Sequence, residues 1–177
     1  MLGLNVETAS PDIDESAVEA DSPSHLAEKL AKTKAEKVYR DLHPGGCPVV
    51  AADTLVEIGG KILGKPRSVA EAGEMLRMLS GKLHYVHTGL AVIYSGTFAS
   101  AVETATVHFR ELSDDEIESY IMSGEPMDKA GAYGIQGRAG AFVDRIEGDF
   151  FSIVGLPLCR LVTLLRNTMG LTLSDMK

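Results

Sequence analysis

The chain alternates between stretches whose apolar positions recur every three to four residues and stretches that are apolar almost without interruption. Ser22-Pro23 has the form of a helix cap followed by proline at the first helical position. Leu26, Leu30, Lys34 and Val38 then follow at four-residue spacing, which predicts a helix running to about Arg40. Pro44-Gly45-Gly46 breaks the chain, and Cys47 to Ile58 is β-rich, apolar through Val49, Val50, Ala51 and Ala52 up to Asp53, as a strand at the centre of a sheet should be. Gly59-Gly60 predicts a hairpin turn into Lys61-Ile62-Leu63. Ser68-Val69-Ala70-Glu71 reads as a capping box opening a helix with Met75, Leu76 and Leu79 on its inner side. Ser113-Asp114-Asp115-Glu116 opens another that Gly124 closes. Two long strands are expected between these helices, near 84–94 and 98–109. Ala141 to Ile146 and Phe150 to Val154 are expected to pair as a hairpin around Gly148. Pro157 then starts a last helix with Leu158, Leu161, Val162, Leu165 and Met169 on one face.

Composition narrows the function classes. A chain of 177 residues with 45% hydrophobic content is the size of a single domain, 1–177, able to bury a real core. Its net charge of −8 argues against general binding to nucleic-acid polymers or membrane surfaces, both of which select basic faces. A small anionic substrate is compatible with it, because a few lysines in a cleft dominate the local field. Cys47 and Cys159 lie far apart within apolar runs, which reads as buried thiols in a reducing compartment, the cytoplasm by default. Residues 1–21 carry six acids, no base and no apolar core, so they do not read as a signal peptide, and no apolar stretch is long enough to span a bilayer.

The candidate chemistry sits at four places. Residues 128–137, Asp-Lys-Ala-Gly-Ala-Tyr-Gly-Ile-Gln-Gly, place glycines at 131, 134 and 137. Such glycines permit positive φ and let main-chain N–H groups converge on an anion, while Gln136 offers donors and an acceptor to a base edge. An ordinary loop is the bland alternative. Asp53 ends a buried apolar run, where open α/β sheets place their ligands, although an aspartate there can also cap a turn. Lys34 shares the register of an apolar helix face, so it either carries an ammonium inward or snorkels at the edge of the stripe. Lys65, between Gly64 and Pro66, is aimed by a stiff backbone or is simply a solvated turn lysine. His84 and His87 are three apart on a strand and face opposite sides, which argues against a shared metal and for cross-strand hydrogen bonding.

Several of these segments occur together and in a fixed order: Ala51-Ala52-Asp53-Thr54, Gly64-Lys65-Pro66, Leu79-Ser80-Gly81 with His84, Val86 and Thr88, Ser123-Gly124-Glu125-Pro126, the 128–137 segment, and Gly155-Leu156-Pro157-Leu158. In that combination the chain resembles the Maf family of nucleoside triphosphate pyrophosphatases from Met1 to about Met169. The resemblance implies an α/β fold, a twisted mixed sheet flanked by helices, similar to the inosine triphosphate pyrophosphatase-like fold. It implies hydrolysis of a nucleoside triphosphate to the monophosphate and pyrophosphate. Asp53 matches the family's general base, Lys34 and Lys65 its triphosphate-contacting lysines, and Glu15 a glutamate associated with the metal, in a register ambiguous between Asp14 and Glu15. A divalent cation, Mg²⁺ or Mn²⁺, is thereby expected beside Glu15 and Asp53. Thr54, Arg67 and Gln136 resemble the trio of the branch acting on dTTP and UTP. A symmetric homodimer is implied by the resemblance alone. The family's opening strand and Ser-Pro-Arg-Arg turn have no counterpart in the sequence, so the domain reads as N-terminally incomplete, and the alternative expectation is a nucleotide-binding or regulatory module with impaired catalysis.

Overall fold

The computed structural model describes residues 5–42 and 45–171; Met1 to Leu4 and the Pro44 of the predicted break lie outside the described residues. Five strands, β1 (Val49–Ile58), β2 (Lys61–Leu63), β3 (Leu83–Tyr94), β4 (Thr97–Phe109) and β5 (Val143–Glu147), form one sheet in the order β2-β1-β3-β4-β5. Its helices are α1 (Pro23–Leu42), α2 (Val69–Leu79), α3 (Asp114–Met122), α4 (Phe150–Val154) and α5 (Leu158–Met169). The α/β class holds, and the sheet among the described residues is antiparallel, with Val56 opposite Leu63 and Val107 opposite Ile146. The chain divides into two compact units: one within 1–53, 88–103 and 156–177, the other within 54–87 and 104–155.

In the first unit the two-residue period of β3 sorts its side chains onto two helices. Ala91 and Ile93 pack with Ala31, Ala35, Val38 and Val49, whereas Leu90 and Val92 pack with Leu161, Leu164 and Leu165 of α5. Helix α1 is capped by the Ser22 hydroxyl, which accepts from His25 N–H at 3.3 Å. Its buried face is Ala27, Leu30, Ala31 and Ala35, turned slightly from the predicted leucine row. Small residues are needed because the helix crosses the strand closely: a Cβ on Gly89 would stand 2.1 Å from the Ala27 carbonyl oxygen. In α5 the buried positions include Leu164, and Val162 is only half-buried.

In the second unit α2 and α3 cover Val56, Leu63, Val86, Val107 and Phe109. Both predicted N-caps form, but the first is not a reciprocal box, because the Glu71 carboxylate accepts from the Arg67 N–H at 2.7 Å. Ser68 accepts from Glu71 N–H at 3.1 Å, and Ser113 with Glu116 makes a reciprocal capping box. Gly59 and Gly60, at φ 57° and 82°, make the predicted hairpin turn. An edge-to-face aromatic cluster fills the remaining core, Phe109 with Tyr133 at 4.8 Å and Tyr120 with Phe142 at 5.2 Å between ring centroids.

Three expectations are corrected. Residues Phe150–Val154 are a helical turn and not a strand: the Asp149 carboxylate accepts from Phe151 N–H at 3.0 Å, and Gly155, at φ 105°, closes it. The β-branched and aromatic composition misleads because five residues between a cap and a left-handed glycine are too few for periodicity to speak. Cys47 and Cys159 are both exposed, since Cys47 precedes β1 and Cys159 lies off the buried row of α5. Asp53 lies within β1 and not at its end, because the strand continues to Ile58. His84 and His87 do face apart. His87 bonds Thr104 and Glu57 on the neighbouring strands at 2.9 and 3.2 Å, while His84 bonds Tyr133 at 2.8 Å outside the strand ladder.

Candidate active site

In the first unit three elements converge on one ammonium. The fourth turn of α1 carries Lys34, β1 carries Asp53, and a 3₁₀ turn at Glu15–Ala17 carries Glu15. The Lys34 Nζ donates to Asp53 Oδ1 and stands 2.7 Å from Glu15 Oε1. The neighbouring Asp14 is engaged in its own turn, accepting from the Ser16 N–H at 3.0 Å and the Ser16 hydroxyl at 2.6 Å, so Glu15 and not Asp14 faces Lys34. The side chains are graded in exposure: 10% for Asp53, 21% for Lys34 and 55% for Glu15. Burial works against the Lys34 charge, but hydrogen bonds to Asp53 and Glu15 outweigh it and hold the pKa above the ordinary lysine value. Lys34 is therefore an ammonium, and Asp53 sits within β1, where it has no turn to cap.

In the second unit Lys65 follows β2 on the Gly64-Lys65-Pro66 turn and is exposed. Arg67 is exposed too, its guanidinium 3.3 Å from Glu71 Oε2. Lys61, Lys65 and Arg67, with Glu74, Met75 and Met78, line a cleft of about 280 Å³. Thr54 follows Asp53 on β1, and a Cβ on Gly155 would approach its hydroxyl to 3.4 Å. That is an ordinary contact, and the glycine is required by its positive φ of 105°. Gln136 is exposed on the glycine-rich segment.

That segment differs from the expected anion cradle. Of its three glycines only Gly131 has positive φ, at 68°, and Ala132 follows it at 60°. The main-chain donors of the three glycines are already engaged: Gly131 N–H to the Gly64 carbonyl at 3.0 Å, Gly134 N–H to the Tyr120 hydroxyl at 3.2 Å, Gly137 N–H to the Gly134 carbonyl at 3.0 Å. The Arg138 N–H donates to the Glu125 carboxylate at 3.0 Å, and a Cβ on Gly137 would overlap that carboxylate at 2.2 Å. The N–H groups of these glycines are therefore committed within the loop and are not the ones it would offer an anion. Sequence reading missed Glu125, Tyr120 and Tyr133 as the partners that shape this loop. Glu125 lies in the quoted Ser123-Gly124-Glu125-Pro126 motif, which was the available signal.

Among the described residues no group of three or more His, Cys, Asp or Glu is placed to hold a metal; the nearest arrangement is the Glu15 and Asp53 pair on Lys34. No helix among them is long and apolar enough to cross a membrane.

The first unit thus holds a largely buried carboxylate bonded to an ammonium, and the second carries exposed cations on a turn. The model of the family described as Maf-like protein matches residues 1–168. The chain is 48% identical over 164 residues to the dTTP/UTP pyrophosphatase of Symbiobacterium thermophilum, covering 93% of this chain and 84% of that protein. It is 48% identical over 174 residues to that of Alkaliphilus oremlandii, covering 97% and 90%, and 45% identical over 158 residues to that of Thermotoga maritima, covering 89% and 76%. The chain belongs to the Maf-like family.

Proposed function

We propose that the protein is a nucleoside triphosphate pyrophosphatase that hydrolyses dTTP and UTP to the monophosphate and pyrophosphate. The observation that carries this reading is the Glu15–Lys34–Asp53 constellation in a chain so similar to the dTTP/UTP pyrophosphatases above. In this reading Asp53 takes a proton from water as its oxygen attacks the α-phosphorus. The bond from that phosphorus to the oxygen bridging to the β-phosphorus breaks, and pyrophosphate leaves with the electron pair. Lys34 holds the Asp53 carboxylate in place and, with Lys65, balances the charge that builds on the leaving group. Thr54, Arg67 and Gln136 select the base through hydrogen bonds.

The donor set at Glu15 and Asp53 fits Mg²⁺ or Mn²⁺. Both are hard carboxylate donors brought near one another on Lys34, and such ions take one or two carboxylates and complete their shells with phosphate oxygens and water. When bound, the ion would neutralise phosphate charge and polarise the phosphorus. Cytoplasmic location and a symmetric homodimer belong to the same proposal. The test is hydrolysis of dTTP and UTP by the purified chain with Mg²⁺ or Mn²⁺, with products separated by anion exchange. Monophosphate and pyrophosphate in equal amounts are expected; orthophosphate and diphosphate nucleotide would overturn attack at the α-phosphorus.

A further inference from the structure

Gln136 is exposed on a loop, and an exposed amide discriminates between bases only if the loop holds it still. The loop is tied from beneath at residues distant in sequence. Tyr133, 6% exposed, shares a hydrogen bond of 2.8 Å with His84, which is fully buried. The Tyr133 ring packs edge-on against Phe109 at 4.8 Å and His84 at 5.4 Å. The next residue, Gly134, donates its N–H to the Tyr120 hydroxyl at 3.2 Å. Two residues before Tyr133, Gly131 donates its N–H to the Gly64 carbonyl at 3.0 Å, on the turn that carries Lys65. Ala132, between these ties, is held at φ 60°, a conformation that a residue other than glycine adopts only when its surroundings impose it.

We infer that the phenols of Tyr133 and Tyr120, with His84 beneath, are positioning residues for base selection, fixing the loop so that Gln136 presents its amide in one orientation. The inference rests on the reading that Gln136 recognises the base. None of the three touches the nucleotide in this account; they act through Gln136. The buried imidazole supports this role, because burial in the aromatic cluster depresses its pKa to about 4 and keeps it neutral at working pH. It is then a hydrogen-bonding strut and not a charge.

Four proteins test it: the unaltered chain, Tyr133→Phe, Gln136→Ala and the double variant, each assayed for kcat/KM on dTTP and dGTP at a temperature well below its melting transition. Tyr133→Phe keeps the ring and removes the hydroxyl. The expected result is a roughly threefold to tenfold fall in the dTTP-to-dGTP ratio, inhibition by tripolyphosphate unchanged, and a double variant no less selective than Gln136→Ala alone. A merely structural role would lower both nucleotides together and leave the ratio alone. An unchanged ratio in Tyr133→Phe, with a changed one in Gln136→Ala, overturns the inference and leaves base reading standing. An unchanged ratio in Gln136→Ala overturns base reading, and this inference with it. Should Tyr133→Phe fail to fold, Tyr120→Phe replaces it: a lowered ratio supports the inference and an unchanged one overturns it.

Discussion

Replacing Asp53 by asparagine keeps the shape of the side chain and removes its negative charge. The structure sets the scale of both consequences. Asp53 is 10% exposed and its partner Lys34 is 21% exposed, so the pair is largely desolvated, and breaking such a pair outright costs roughly 3–5 kcal/mol. Here the ammonium keeps Glu15 at 2.7 Å and the amide oxygen of asparagine can still accept from Nζ, so the loss should be smaller, about 1–2 kcal/mol. For a chain of this size that is a fall of roughly 2–8 °C in Tm. Catalysis should suffer far more, because the proposed general base is lost: kcat for pyrophosphate release from dTTP should fall roughly 10²- to 10⁴-fold. The assay pairs steady-state pyrophosphate release at saturating metal with calorimetric melting of the same preparations. Unchanged turnover would remove Asp53 from the chemistry. A melting temperature lowered by far more than this range, with activity falling in step, would make Asp53 a structural residue and refute the division of roles argued from the geometry.

Other predictions follow from particular residues. Glu15→Gln should raise the Mg²⁺ concentration for half-maximal activity roughly tenfold with little loss of kcat at saturation, measured by metal titration; an unaltered titration would remove Glu15 from metal binding. Gly89→Ala places a Cβ 2.1 Å from the Ala27 carbonyl oxygen and 2.5 Å from Glu28 N, so α1 must move off β3 at a cost of roughly 3 kcal/mol or more. Urea denaturation checks this, and a variant within 1 kcal/mol of the parent would show, against the usual cost of overpacking, that the crossing is looser than described. His84 has its pKa lowered by burial to about 4 from an ordinary 6.5. The unfolded chain therefore binds a proton that the folded one refuses, and stability is lost as pH falls from about 6.5 towards 4, by roughly 3 kcal/mol in all, with no effect above that window. Urea midpoints at pH 7 and pH 5 should separate more in the parent than in His84→Gln; equal separation would sink the assignment.

Much of this fold could be read from the chain because its punctuation is local. Ser68 and Ser113 cap helices through the residues three positions on, and Gly59-Gly60 makes a turn that only positive φ allows. Phe150–Val154 could not be read, since a single turn shows no period and its aromatic and β-branched residues speak for a strand. The candidate site was legible as a set of residue types and illegible as a set of partners. Whether Asp14 or Glu15 faces Lys34 depends on a 3₁₀ turn closed by Ser16, and no pattern in the acidic stretch announces that turn. The glycine-rich segment was misread for the opposite reason. Its glycines look like freedom for φ, whereas Gly134 and Gly137 have ordinary φ and stand close against the Lys129 chain and the Glu125 carboxylate.

These two kinds of failure bear on how the site works. Several of the cations and donors named above are already matched by internal groups, though the exposed Lys65 is not among them: in the first unit Lys34 by Glu15 and Asp53, and in the second Arg67 by Glu71, Lys129 by Asp128, and the N–H groups of Gly131, Gly134 and Arg138 by Gly64, Tyr120 and Glu125. The matches differ in kind. Those of Arg67 and Lys129 are solvent-exposed ion pairs, worth at most about 1 kcal/mol and easily exchanged for phosphate. Those of Lys34 with Asp53 and of the Gly134 N–H with Tyr120 are partly buried and are not given up cheaply. The exposed pairs are therefore the ones free to reorganise around substrate, while the Lys34 constellation and the loop are fixed before it arrives. A binding step that trades surface ion pairs for phosphate contacts should weaken steeply with salt, whereas the preset chemical step should not. KM for dTTP should accordingly rise severalfold between low and physiological ionic strength with kcat nearly constant. A kcat that falls with salt in parallel with binding would mean that the reacting groups are themselves assembled by the substrate.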